Sequence, residues 1–337
     1  SHRAIDEYDV VRAKLGVSTF ERAEKFIQEV FWRVYWKGWL EHRPTVWNDF
    51  SAFDQQDKLS SQKDNKNYLA AINGETGIEC FDFWAQELRN TNYLHNHARM
   101  WFASIWIFTL GLPWQAGAQF FLKHLLDGDA ASNTLGWRWV AGIQTMGKCY
   151  LARAENISKF TGERFDNARL NERALPLVDE KVHVVQPIDY EVSTKQKFET
   201  LLIMDSNLNM LTRNETKNYK KIYVMSLANA SRQIAISQSV VEFKQNLIKS
   251  AAQKHPHCEV LDAREATQVL GKMPGCDVCY PFIGENLDFL HRSNDVWNID
   301  LNFLRHHEDL FCWRFATKGF FNFKKNIPAI IKTLALS

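Results

Sequence analysis

The sequence predicts a chain in two parts, a helical domain followed by a smaller α/β domain with a mainly parallel sheet. Three observations carry that prediction. Ten of the 12 Trp lie between Trp32 and Trp139, so the first half uses indoles in bulk. That half carries apolar residues at helical period, with no alternating strand pattern of any length. Beyond about residue 185 the period changes to short β-rich runs with helical stretches between some of them.

Residues 22–40 place Phe26, Val30, Phe31, Val34 and Tyr35 at helical spacing, with no Gly or Pro before Gly38. The segments 79–90, 94–112 and 114–126 repeat the pattern between polar breaks. After Phe165 the pattern dissolves into a stretch, 171–190, holding Pro176, Pro187 and a charged run from Val178. The division expected is a helical domain over 1–175, a linker over 176–190 and an α/β domain over 191–337. In the last of these, 201–204, 221–225, 258–261 and 277–280 read as strands, and 233–254 and 264–270 as helices. No Gly-x-Gly-x-x-Gly and no Gly-Lys-Ser/Thr follows any of these strands, so dinucleotide or nucleotide phosphate binding has no motif there.

Composition narrows the function classes. A formal charge of +2 and 24% charged residues supply no overall basic excess, so any nucleic-acid contact must rest on a local patch. The longest apolar run, 100–112, meets Gly111 and Pro113 and is too short to span a bilayer. The six Cys form no disulfide-like framework and no leader-like apolar segment opens the chain, which points to a reducing cytoplasm. Cys276-x-x-Cys279 lacks a second ligand pair and reads as buried strand cysteines. His95 and His97 have no Cys or carboxylate at ligand spacing, so no metal is expected.

The densest chemistry is Asp127-Gly128-Asp129 followed by Asn133, Trp137 and Trp139. Upstream, Glu29, Trp32, Arg33 and Trp36 share one helix surface. That surface is either the buried aromatic face of an amphipathic helix or a platform for stacking bases. Asn96, Arg99 and Met100 open a helix that turns very apolar at Trp101. Arg99 is either exposed at the helix start or paired with a carboxylate, for which Asp127 and Asp129 are the candidates.

Taken together these segments resemble the FAD-binding helical domain of the photolyase and cryptochrome family, over roughly residues 20–165. The residues carrying the resemblance are Glu29-x-x-Trp32-Arg33, His42-Arg43-Pro44, Gly74-x-Thr76-Gly77 with Asp82, His95-Asn96-x-x-Arg99-Met100, Asp127-Gly128-Asp129, Asn133 and Gly136-Trp137-x-Trp139.

The resemblance implies FAD as cofactor, with Arg33, Asn96, Arg99, Asp127, Gly128, Asp129 and Asn133 as the residues that hold it. Within that set it implies an Arg99–Asp127 ion pair beside the isoalloxazine, Asp129 on its polar edge and Asn133 facing N5. It assigns Glu29, Trp32, Met100 and Trp139 to a pocket for a pyrimidine dimer flipped out of damaged DNA, with Trp32 and Trp139 as stacking walls. Glu29, Asn96, Met100 and Asn133 are the catalytic residues it implies. Asn96 and Met100 stand where enzymes acting on the (6-4) photoproduct place His, which favours the cyclobutane dimer. Trp114 and Trp137 match the inner members of an electron-transfer path. The outer Trp is not found in the polar segment 57–67, so either another indole such as Trp47, Trp84 or Trp106 completes the path or photoreduction is inefficient.

The family's phosphate-holding Thr-Ser-x-Leu-Ser-like turn does not precede the Glu29 helix, which implies a chain truncated at its amino terminus. The family's α/β antenna domain, normally ahead of the flavin domain, is replaced by an α/β segment behind it. Lys148-Cys149-Tyr150-Leu151-Ala152-Arg153 stands in place of the usual Pro-Tyr-Phe-Arg. The activity expected is blue-light repair of pyrimidine dimers by a photolyase-like carbon–carbon lyase. The alternative is a cryptochrome-like photoreceptor that signals through an unidentified protein partner. Neither involves a membrane.

Overall fold

The structure, a computed structural model, describes residues 2–55, 66–145, 147–166, 169–179, 181–190 and 195–336. The chain forms two compact units, one of Ser1–Pro44, Val184–Gln233 and Val241–Ser337, the other of Thr45–His183 and Ile234–Val240. Compactness therefore divides the chain differently from the expected boundaries at 175 and 191, because the first 44 residues fold with the sheet.

In the first unit the strands β1 (Thr200–Met204), β2 (Lys221–Met225), β3 (Cys258–Leu261), β4 (Gly275–Cys279) and β5 (Asp300–Leu304) form one sheet in the order β3-β2-β1-β4-β5. All four pairings are parallel. The period of two sends Leu202, Met204, Cys276 and Val278 to one face and Leu201, Ile203, Ile222 and Val224 to the other. Both faces are covered, as a parallel sheet requires. β5 extends the sequence reading. Its alternating Asp-Leu-Asn-Phe-Leu lies at the sheet edge, where burial is only partial.

Two helices precede this sheet in the chain, α1 (Glu7–Leu15) and α2 (Phe20–Glu41). In α2, Ala23, Ile27, Phe31, Val34 and Gly38 are buried at spacings of three and four. At Gly38 a Cβ would lie 2.3 Å from Trp313 Cδ1, so only glycine lets α2 approach that indole so closely. Arg3 is buried and ties the amino terminus down. Its Nε donates to Glu7 at 2.7 Å and its terminal nitrogens to both oxygens of Asp309 at 2.6 and 2.8 Å. Lys37 of α2 donates to the other oxygen of Glu7 at 2.9 Å. These charges are buried because each one has its partners.

The second unit contains α3 (Pro44–Gln55), α4 (Lys66–Asn73), α5 (Glu79–Thr91), α6 (Asn96–Ser104), α7 (Trp114–His124), α8 (Ala130–Ala141) and α9 (Ala154–Phe160). The helix expected over 94–112 is shorter, passing at Ile105–Thr109 into a π-helical turn. Its core is aromatic: Trp47, Phe50, Phe81, Phe102 and Trp106 are almost wholly buried. The stretch 171–183 runs without helix or strand among the described residues. It is held by Leu177 N–H to the Ala141 carbonyl at 2.9 Å and by the Arg138–Asp179 pair at 2.6 Å. No described helix is long and apolar enough to cross a membrane.

Candidate functional site

The Asp127–Trp139 segment is assembled from three helix ends in the second unit. Asn92, in the left-handed conformation that Asn tolerates (φ 59°), caps α5. Its Nδ2 donates to the His124 carbonyl at 2.8 Å, and its own carbonyl accepts from Leu126 N–H at 3.1 Å. The end of α7 is thereby pinned, and Gly128 N–H closes the turn onto the Leu125 carbonyl at 3.2 Å. Asp129 then caps α8, its Oδ1 accepting from Ser132 N–H at 2.8 Å.

Arg99 reaches this turn from α6. Its Nη1 and Nη2 donate to the two oxygens of Asp127 at 3.1 and 3.0 Å, a bidentate pair. Nε donates to the Leu94 carbonyl at 2.8 Å, which holds the guanidinium plane. Of the two arrangements open to Arg99, the structure shows the paired one, with Asp127 as partner. The pair is half-buried, at 23% and 38% side-chain exposure, so it can still meet a ligand. Asn133 is buried one turn into α8, and its Nδ2 donates to the Ala118 carbonyl of α7 at 2.8 Å.

The remaining residues of this unit stand as follows. Asn96 is exposed at the start of α6 and Met100 half-buried one turn on. Trp139 is half-buried and one face of its indole stacks on Tyr150, with centroids 5.7 Å apart. Trp137 is buried against Phe121 at 5.0 Å and Trp106 at 6.1 Å. Trp114 stacks on Phe50 at 5.8 Å, and Phe50 meets Trp47 at 5.5 Å. Two of the indoles named to complete an electron path, Trp106 and Trp47, are thus tied by ring contacts to Trp137 and to Trp114 respectively. The polar segment 57–67, where an outer Trp was sought, lies outside the described residues up to position 65. The Thr76-Gly77 motif has a structural task. Both oxygens of Asp82 receive it, from Thr76 N–H and O–H and from Gly77 N–H, which clasps the start of α5.

Glu29, Trp32 and Arg33 belong to α2 in the first unit. Glu29 and Arg33 are exposed and Trp32 is half-buried. One face of Trp32 is stacked on Phe320 of α14 (Phe320–Lys324), with centroids 3.5 Å apart and planes 13° from parallel. Sequence reasoning missed Phe320 and Tyr150, since nothing local marks a ring as the lid of a distant indole. It missed Gly117 as well, although there a signal exists. A glycine inside α7 has no helical advantage, and a Cβ there would lie 2.3 Å from Trp137. Cys276 and Cys279 are buried in β4, where desolvation pushes both thiols up to about 12. Among the described residues no group of three or more His, Cys, Asp or Glu is placed to hold a metal ion.

A profile of the FAD binding domain of DNA photolyase matches residues 26–173. That segment belongs to the photolyase and cryptochrome family. The deoxyribodipyrimidine photo-lyase of Vibrio cholerae is 29% identical over 146 residues, which is 43% of this chain and 31% of that protein. Its counterpart from Streptomyces griseus is 37% identical over 123 residues, 36% of this chain and 26% of that protein. The Escherichia coli enzyme is 28% identical over 142 residues, 42% of this chain and 30% of that protein. The chain spans less than a third of the length of these relatives. No solved structure matches it.

The cofactor of this photolyase-type domain is FAD. The side chains of the second unit fit its flavin end. A fixed guanidinium from α6 meets Asp127, two residues before the capping Asp129, groups suited to the donors and acceptors along a polar ring edge. Gln119 Nε2, Thr134 Oγ1 and Trp137 Nε1 are buried in the same unit and meet no partner in the structure. Such atoms are rare in folded proteins unless a bound molecule or water satisfies them.

Proposed function

We propose that this chain is an FAD-dependent, blue-light-driven, photolyase-like lyase acting on pyrimidine dimers in DNA. The observation that supports it is the fixed Arg99–Asp127 pair beside the Asp129 cap and buried Asn133, inside the segment matched by the photolyase profile. When bound, FAD supplies the photoexcitable electron donor. Arg99, half shielded from water, offers positive charge that favours an electron-rich ring, and Asp127 keeps the guanidinium from swinging away. Asn133, locked by Ala118, presents a neutral amide whose hydrogen bonding suits more than one redox state. Asp129 has one oxygen committed to the α8 cap and a second for the cofactor edge.

Met100 and Trp139 of the second unit are proposed to meet the dimer, and Glu29 and Trp32 of the first unit are proposed separately as DNA contacts. Trp139 has one face on Tyr150, so a base can stack only on the other, contributing on the order of 1 to 3 kcal/mol, whereas Trp32 already has Phe320 at 3.5 Å and Trp36 at 5.0 Å. The test is blue-light repair of a thymine-dimer oligonucleotide by the full chain reconstituted with FAD and fully reduced. Restored thymines support the proposal. No repair by protein with FAD bound overturns it.

The 3.5 Å stacking of Phe320 on Trp32 favours one second reading, a flavin photoreceptor that signals through a protein partner without repair. On that reading illumination leaves lesion and undamaged DNA bound equally weakly, and Trp32→Ala changes neither. For a lyase, Trp32→Ala selectively weakens lesion binding.

A further inference from the structure

The first unit contains an open cleft of about 390 Å3, between the loop that follows β2 and the helix α12 (Glu285–Trp297). Two arginines line it, Arg232 from the loop and Arg292 from α12. Arg232 Nε donates to the Leu227 carbonyl at 3.1 Å and Arg292 Nη2 to the Ser231 carbonyl at 3.3 Å, so both guanidiniums are oriented by backbone. No described ion pair includes either one. The acids of α12, Glu285, Asp288 and Asp295, do not line the cleft. Glu285 does accept from the backbone N–H of Gln233 at 3.0 Å, and Asp205, just after β1, feels the charge of Arg232 but is already paired with Lys244 at 2.6 Å and bonded to Asn286 at 2.7 Å.

Two atoms of the cleft's own residues are buried without a partner, Arg232 Nη2 and Gln233 Oε1. The first needs an acceptor and the second a donor, and leaving both unmet is costly. Ser231 and Ser293 add hydroxyls to the rim, and Phe289 and Trp297 an apolar wall.

We infer that this cleft binds a small phosphate ester of about mononucleotide size. Two guanidiniums and two hydroxyls match the several oxygens of a phosphate better than the two of a carboxylate. Gln233 Oε1 would accept from a hydroxyl or ring N–H of the same molecule, whose apolar part would lie on Trp297. The inference stands apart from the flavin reading, because every residue in it belongs to the first unit.

The test is calorimetric titration of the full chain, under saturating FAD to fill any other nucleotide site, with adenosine monophosphate, ribose 5-phosphate and adenosine. Both phosphate esters should bind and adenosine should not. Arg232→Gln and Arg292→Gln should each weaken binding by about tenfold or more. Arg292 is exposed on its helix, so its variant keeps the fold even where Arg232→Gln disturbs the loop. Absence of ester binding at millimolar concentration overturns the inference. So does adenosine binding as tightly as its monophosphate, or an Arg292→Gln protein that binds like the wild type.

Discussion

Glu41 ends α2 and is buried, with its two carboxylate oxygens accepting from Tyr280 O–H at 2.7 Å and Ile283 N–H at 3.0 Å. Desolvation outweighs these bonds and the nearby Arg305 charge, while Asp309 adds repulsion, so its pKa rises from 4.5 to about 7. The sign follows from linkage: between those values the unfolded chain has lost the proton and the folded chain keeps it, so stability falls as pH rises. The contribution is full below pH 4.5 and gone above about 7. A rise of that size corresponds to about 3 kcal/mol over the window, at roughly 1.4 kcal/mol per unit. Glu41→Gln mimics the protonated acid, since an amide can donate to Tyr280 and accept from Ile283. Urea denaturation of both proteins from pH 5 to 8 isolates this group, because every other titration cancels in the difference. The variant should gain on the wild type steadily with pH, by about 2 to 3 kcal/mol in all. A flat difference, or one of opposite slope, would refute the reasoning.

Other outcomes follow from the same structure. Arg99→Gln should leave stability within about 1 kcal/mol, since the pair is half-exposed, while FAD affinity in an absorbance titration falls by about tenfold or more. Gly117→Ala improves helix propensity by about 1 kcal/mol but drives a methyl into the Trp137 indole, so thermal denaturation should show a net loss of about 1 to 2 kcal/mol. Arg3→Met strands Asp309, whose carboxyl Arg3 holds below its usual range, and should cost about 3 to 5 kcal/mol at neutral pH by urea titration. That penalty should shrink as pH falls through the depressed Asp309 value. Cys276 and Cys279, with thiols near 12 and buried, should resist iodoacetamide at pH 8 in the native protein and react once it is unfolded in urea.

The sequence by itself determined the elements whose signals are local. The helical spacing of Val30, Phe31, Val34 and Tyr35 specifies α2, although Phe26 of the same pattern is exposed, and the short runs 201–204, 221–225 and 258–261 specify strands, because each pattern repeats within a few residues. The dense polar stretch Asp127, Gly128, Asp129 and Asn133 was visible for the same reason, lying along one turn and helix, whereas the sequence left Arg99 open between exposure and a carboxylate partner, and the structure supplies Asp127. The π-helical turn at Ile105–Thr109 was not legible, since its residues continue the apolar pattern of α6 unchanged. Only the tertiary structure decided which surface each element meets. It placed α2 with the sheet through Gly38 and Trp313, set Phe320 on Trp32, and brought Trp106 rather than Trp114 into ring contact with Trp137. A periodic pattern states that a face must be buried, but what buries it is fixed by shape and by residues far away in the chain.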